Sequence, residues 1–166
     1  MPLTAYEKFN VEPGKSVIAK GLVKFNCLNH QFTPKGNDTE PNPAPRYSIE
    51  LQNPQFYGDR ALASALHSKM YGGNQDKVSF VNKGHFTPAV FDKSDAQMTA
   101  DELIPDGKCL AANQAVLVHV RSFAGKNGNV GASFDAIKLP CVFNEVKLEN
   151  IGLSGAIFED LKEVDF

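Results

Sequence analysis

Lys20 and Lys24 stand in phase on one alternating segment, Arg46 opens a second, Arg121 lies on a third, and Lys126 sits in the glycine-rich connection that follows it. Rings recur near them: Tyr47, Phe32, Phe86 and Phe123, with Lys35 in a proline-rich stretch and His119 in phase with Arg121 and Phe123. Cations that follow phosphates, combined with flat side chains on which bases stack, are the two requirements for holding a single nucleic-acid strand, and each stacked base contributes about 1–3 kcal/mol. Among the rings Phe123 is the strongest candidate, because its in-phase neighbours are polar. Tyr47 alternates with Ile49 and Leu51 and so reads as a core residue with its hydroxyl at the rim. Most of the 12 phenylalanines of a chain without tryptophan must fill the core, and Lys20 with Lys24 is equally the ordinary solvated face of a strand.

Catalytic patterns do not compete with this chemistry. The sequence has no G-x-x-x-x-G-K-[ST] phosphate loop, no G-x-G-x-x-G, no H-E-x-x-H and no G-x-S-x-G. His30, His67, His85 and His119 are scattered singly, without a cysteine or carboxylate at ligand or triad spacing. Cys27, Cys109 and Cys141 are odd in number, far apart and never in a C-x-x-C pair, so they read as reduced structural thiols. Asp101, Glu102 and Asp106 share a polar loop and are most simply solvated. The expectation is a non-enzymatic protein that needs no cofactor and no metal.

The elements that must position the cations and rings are mostly strands. Ser16–Leu28 alternates with β-branched and aromatic residues, which assigns Val17, Ala19, Val23, Phe25 and Cys27 to a core face and Lys20, Leu22, Lys24 and Asn26 to an exposed basic face. Asn29–Pro45, with four prolines and a glycine, reads as a long flexible loop. A second strand covers Arg46–Gln52, the turn residues Asn53 and Pro54 follow, and Asp59 caps a helix that places Leu62, Leu66 and Met70 on one side and ends at Gly72 and Gly73. Further strands are predicted at Lys77–Val81, Thr87–Phe91, Gln114–Ala124 and Asn129–Leu139. The last two form a hairpin joined by Gly125, Lys126, Asn127 and Gly128. Within it Val116, Val118, Val120, Val130, Ala132 and Phe134 face inward, while Leu117, His119, Arg121 and Phe123 share the outer side with Gly131, Ser133 and Asp135. Short strands with one helix and a long final hairpin fit a mainly β, OB-like five-stranded barrel better than a parallel α/β sheet.

Length and charge agree with one such barrel and an appendage. A chain of 166 residues buries a core without staples. Its net charge of −2 conceals a division, because Phe158–Phe166 holds Glu159, Asp160, Glu163 and Asp165 against Lys162 and leaves the rest close to neutral. Residues 1–152 are expected to form the binding domain and 153–166 a flexible acidic tail. Neither a signal segment nor an apolar run of spanning length is visible, so a cytoplasmic protein without membrane contact is expected.

The hairpin NQAVLVHVRSFAGKNGNVGASFDAIKL, the ending FEDLKEVDF and the strand RYSIEL together resemble the bacteriophage single-stranded DNA-binding proteins, over roughly Val17 to Phe166. The resemblance implies an OB fold that coats single-stranded DNA during phage replication and recombination without sequence preference. It also implies that the acidic tail contacts replication partners such as polymerase or helicase-primase, and that without DNA it occupies the cleft or packs across a homodimer. By position Arg121, Phe123 and Lys126 match the DNA-associated hairpin, and Glu159, Asp160, Glu163, Asp165 and Phe166 match the tail. The helix here follows the second strand, whereas the common OB order places it after the third. Ile157, Leu161 and Val164 at helical spacing leave open a tail docked on the core as an amphipathic helix. Two other classes remain beside this reading: a structural or protein-interaction module such as a virion component, and a metal-dependent hydrolase or nuclease using the loop near Asp101.

Overall fold

Alternating β-branched and aromatic residues build a chain that is mainly β with one helix. The computed structural model describes residues 11–84, 87–91, 96–97, 114–124, 130–138, 163–164 and 166. Among them are β1 (Ser16–Phe32), β2 (Arg46–Gly58), α1 (Arg60–His67), β3 (Lys77–Asn82), β4 (Ala89–Phe91), β5 (Ala115–Ala124) and β6 (Val130–Lys138). They form one sheet in the order β3-β2-β1-β5-β6-β4, antiparallel throughout except where β4 lies parallel to β6. The sheet curls until its sides approach: the Asn82 side-chain amide on β3 donates to the Phe134 carbonyl on β6 at 2.9 Å. Among the described residues a side chain, not a ladder, makes this link. The architecture is therefore an OB-like half-barrel, with β4 falling inside the strand expected at Thr87–Phe91 and joining the sheet edge beside β6.

Inside the curl, Val17, Ala19 and Val23 of β1 meet Ile49, Leu51 and Phe56 of β2, Val116, Val118 and Val120 of β5, and Phe134 of β6. Helix α1 closes one end of this core with Leu62 and Leu66. The carboxylate of Asp59 accepts from the Leu62 N–H at 2.9 Å, satisfying one of the donors that a helix start leaves open. The helix ends at Ser68, before the expected Gly72 and Gly73.

Strand β1 owes its length to irregularities that let it bend. Its pairing with β2 slips between Lys20 and Leu22, between Val23 and Phe25, and between Cys27 and Phe32. At the first slip β2 carries Asn53, with φ at +53°, and Pro54. These expected turn residues instead form a bulge inside a strand that continues to Gly58, a position that tolerates a proline lacking its N–H. The second slip changes the phase of β1. Phe25 and Cys27, expected in the core, instead sit level with Glu50 and Ser48 on the outer side, and Leu28 turns inward to full burial. Strict alternation fails here because one extra residue on a strand exchanges its two faces.

The outer side of the central strands also departs from expectation. Instead of an exposed basic face it carries a second apolar cluster of Ile18, Ala115, Leu117 and Ala136, bordered by Leu22, Tyr57 and Phe91. Lys20, in register between Gln55 and Leu117, is only 6% exposed and holds its ammonium 5.5 Å from the centre of the Tyr57 ring. Leu117 is likewise fully buried, apart from the exposed Arg121 and Phe123 with which it was grouped.

The described end of the tail is docked. Glu163 bridges to Tyr57, the Val164 N–H donates to the Phe56 carbonyl at 2.8 Å, and the Val164 side chain joins the main core. Phe166 stacks on His67, with ring centres 4.1 Å apart, and meets Phe56 edge-on. This seat uses the stretch of β2 beyond Gln52, where the pairing with β3 has ended. Ile157 and Leu161 lie outside the described residues.

Candidate nucleic-acid interface

Two clusters of rings and cations occupy the outer side of the sheet, at opposite ends of β1. The first is a row across three strands. Phe25 on β1 pairs with Glu50 on β2, and Glu50 pairs with Ser79 on β3, so their side chains emerge side by side at the inter-strand spacing of about 4.8 Å. Tyr71, in the turn after α1, reaches back over this row: its hydroxyl donates to Glu50 and lies 2.6 Å from the Ser79 hydroxyl. Phe25 is 49% exposed and Tyr71 40%, an uncommon presentation for large rings on one sheet face. Burial pushes the Tyr71 hydroxyl up to about 12, the Glu50 hydrogen bond adds to the rise, and Ser79 opposes it. The ring is thus neutral at physiological pH.

Phe32 extends this row toward the loop. It packs edge-on against Phe25, with ring centres 5.8 Å apart, and pairs in register with Arg46. Arg46 is held against loop 33–45: its Nε donates to the Ala44 carbonyl at 3.1 Å, and Nη2 lies 3.6 Å from Glu40. The expected flexible loop contains a turn organised by Asn37, whose side-chain oxygen accepts from the Thr39 and Glu40 N–H groups at 3.0 and 2.8 Å. Lys35 in this loop and Lys24 at the β1 slip are exposed at the same end.

The second cluster is the β5–β6 hairpin. Phe123, 47% exposed, lies directly opposite Gly131, and a Cβ added at Gly131 would come within 2.8 Å of the ring. The glycine therefore makes room for the ring to lie across the hairpin. Arg121, exposed one pleat back, pairs with Ser133 on β6 and with Ser16 on β1. His119 is fixed beside it by Asp135, 2.5 Å from Nδ1. From Ser16 to Phe25 is a contour of about 30 Å at strand spacing, and the covered stretch around Lys20 and Leu117 lies between.

The structure therefore gathers Phe32, Lys35, Arg46 and Lys24 at one end and His119, Arg121 and Phe123 at the other, while Lys20 and Tyr47 lie beneath the surface. Tyr47 is a core residue whose hydroxyl is 3.2 Å from that of Thr87. Phe86, Lys126, Glu159, Asp160 and Asp165 lie outside the described residues, as do Cys109, Cys141 and the acids near Asp101. Sequence reasoning missed Phe25, which alternation assigned to the core, and Tyr71, which no pattern marked. Among the described residues, no group of three His, Cys, Asp or Glu side chains is placed to share a metal ion, and no helix is long and apolar enough to cross a membrane.

No protein-family model and no curated protein sequence matches the chain. Among solved structures it is similar to the single-stranded DNA-binding protein from bacteriophage Enc34, at 10% identity and a TM-score of 0.44, over 81% of this chain and 88% of that one. It is also similar to the same phage protein in complex with single-stranded DNA, at 10% identity and a TM-score of 0.46, over 80% of this chain and 95% of that one.

Proposed function

We propose that this chain binds single-stranded DNA without catalysing a reaction. The observation that carries the reading is the row Phe25–Glu50–Ser79 under Tyr71, with Phe32 and Arg46 at its border: exposed rings on the outer face of the first three strands of an OB-like sheet, the face such folds use for oligonucleotides. Rings of this kind accept unpaired bases, whose faces a duplex keeps stacked, and this supports a preference for single strands. Lys24 and Lys35 supply exposed cations at this end, with Arg46 largely buried behind them and paired with Glu40, and Arg121 supplies one beside Phe123.

Under this reading the protein coats strands exposed during phage replication and recombination in the cytoplasm of a host cell. The acidic tail, including Glu159, Asp160, Glu163, Asp165 and Phe166, is its contact for polymerase or helicase-primase, or for a second copy in a homodimer. When its end leaves the seat on Phe56 and His67, it also competes with DNA as a tethered anion at high effective concentration.

Fluorescence anisotropy of a labelled mixed-sequence single strand, compared with a duplex of equal length across a salt series, tests the reading. The expected result is tighter binding of the single strand, with log affinity falling by about 0.7 per contacted phosphate per decade of salt. Absence of binding at low salt would instead favour a structural or protein-interaction module.

A further inference from the structure

Resting on that reading, the outer face holds one group that a phosphate-binding surface should not contain. Glu50 stands in the middle of the row, between Phe25 and Ser79, and among the described residues no cation lies within ion-pair distance of it. One carboxylate oxygen accepts from Tyr71, and the other makes no hydrogen bond among those residues. An unneutralised carboxylate repels phosphate, so a strand crossing this row turns its backbone toward the cations at the border and lays its bases over Phe25 and Tyr71.

We propose that Glu50 makes this face discriminate among bases, favouring those whose pairing edge carries an exocyclic amine over thymine. A carboxylate is an acceptor only. Cytosine, adenine and guanine each offer it an amino group on the edge exposed by unpairing, as an acidic side chain accepts from the cytosine amine elsewhere. Thymine offers a single N–H flanked by two carbonyl oxygens, which a carboxylate repels. Because Tyr71 already occupies one oxygen, the contact is a single hydrogen bond, and its discrimination falls at the low end of that for base-edge contacts. Tyr71 also fixes the carboxylate's rotamer, so the acceptor is held in place before a base arrives.

Oligo-dC and oligo-dT of equal length separate this from stacking alone, since both bases are single rings. At pH 8, where cytosine is unprotonated, the full-length protein is expected to bind oligo-dC about fivefold more tightly than oligo-dT. In Glu50→Gln the gap closes, chiefly because oligo-dT binding improves: the amide both donates and accepts, carries no charge, and keeps an acceptor for Tyr71. Glu50→Ala, which removes acceptor and repulsion together, is expected to show no preference either. Equal affinities in the unmodified protein, or a preference that survives both substitutions, would overturn the assignment while leaving single-strand binding intact. Failure of both oligonucleotides to bind at low salt would remove the proposed function, and the assignment with it.

Discussion

Two stretches of the same sheet face have opposite fates. Around Ile18, Lys20 and Leu117, at the centre of the sheet, the outer side is closed, and even a lysine there is nearly inaccessible. Around Phe25, Glu50 and Tyr71, past two slips of the same strand, the outer side is open and large rings meet solvent. Both stretches alternate, and both mix apolar with charged residues. What differs is coverage. Apolar side chains in the closed stretch are buried on both faces and serve cohesion, whereas the rings of the open stretch contribute little to folding and are available to a ligand.

The sharpest way to break this comparison is to truncate one residue in each stretch. Leu117→Ala is expected to cost about 2–5 kcal/mol in denaturant unfolding and to leave DNA affinity of the folded fraction unchanged. Phe25→Ala should shift stability by no more than about 0.5 kcal/mol yet weaken single-strand binding by the worth of one stacked base, about 1–3 kcal/mol in anisotropy titrations. If Phe25→Ala unfolds the protein, or if Leu117→Ala abolishes binding by folded molecules, the division between the stretches is wrong.

The docked tail gives a smaller effect of the first kind. Val164→Ala removes two buried carbon atoms from the core and is expected to cost about 1–2 kcal/mol on chemical denaturation. An unchanged midpoint would mean that the tail end is not seated in solution. At the hairpin, Gly131→Ala should displace the far edge of the Phe123 ring more than it disturbs the backbone, weakening DNA binding a few-fold with little loss of stability. Phe123→Ala in the same titration shows whether that ring is the reason.

The smallest expected effect is alkaline. The Tyr71 hydroxyl is raised to about 12 in the folded protein from an ordinary value of 10.0. Its contribution to stability is therefore fully present below pH 10 and is lost as the pH rises toward 12. Tyr71→Phe should flatten that part of the stability profile, measured by urea unfolding between pH 9 and pH 12. An identical profile in the variant would show that other groups carry it.

The hairpin was legible in the sequence, because Val116, Val118 and Val120 alternate without interruption and a glycine-rich connection follows Ala124. Helix α1 was legible at its start, where Asp59 can accept from only a few N–H groups, and less so at its end, where Ser68 stopped the helix ahead of the glycines. The open stretch was not legible. Phe25 has the spacing of a core residue, and the slip that turns it outward depends on how β2 pairs with it, not on its own neighbours. Tyr71 lies in a turn without periodicity, and its place over Glu50 and Ser79 exists only once β2 and β3 are paired.

Local composition and period thus determined which segments are strands, where the helix begins and which hairpin carries Arg121 and Phe123, since each depends on interactions within a few residues. The tertiary structure alone decided which side of each strand meets water, because bulges exchange faces and coverage depends on distant segments. It also decided that Lys20 is buried, that Val164 belongs to the core, and that a carboxylate stands among the rings of the candidate site.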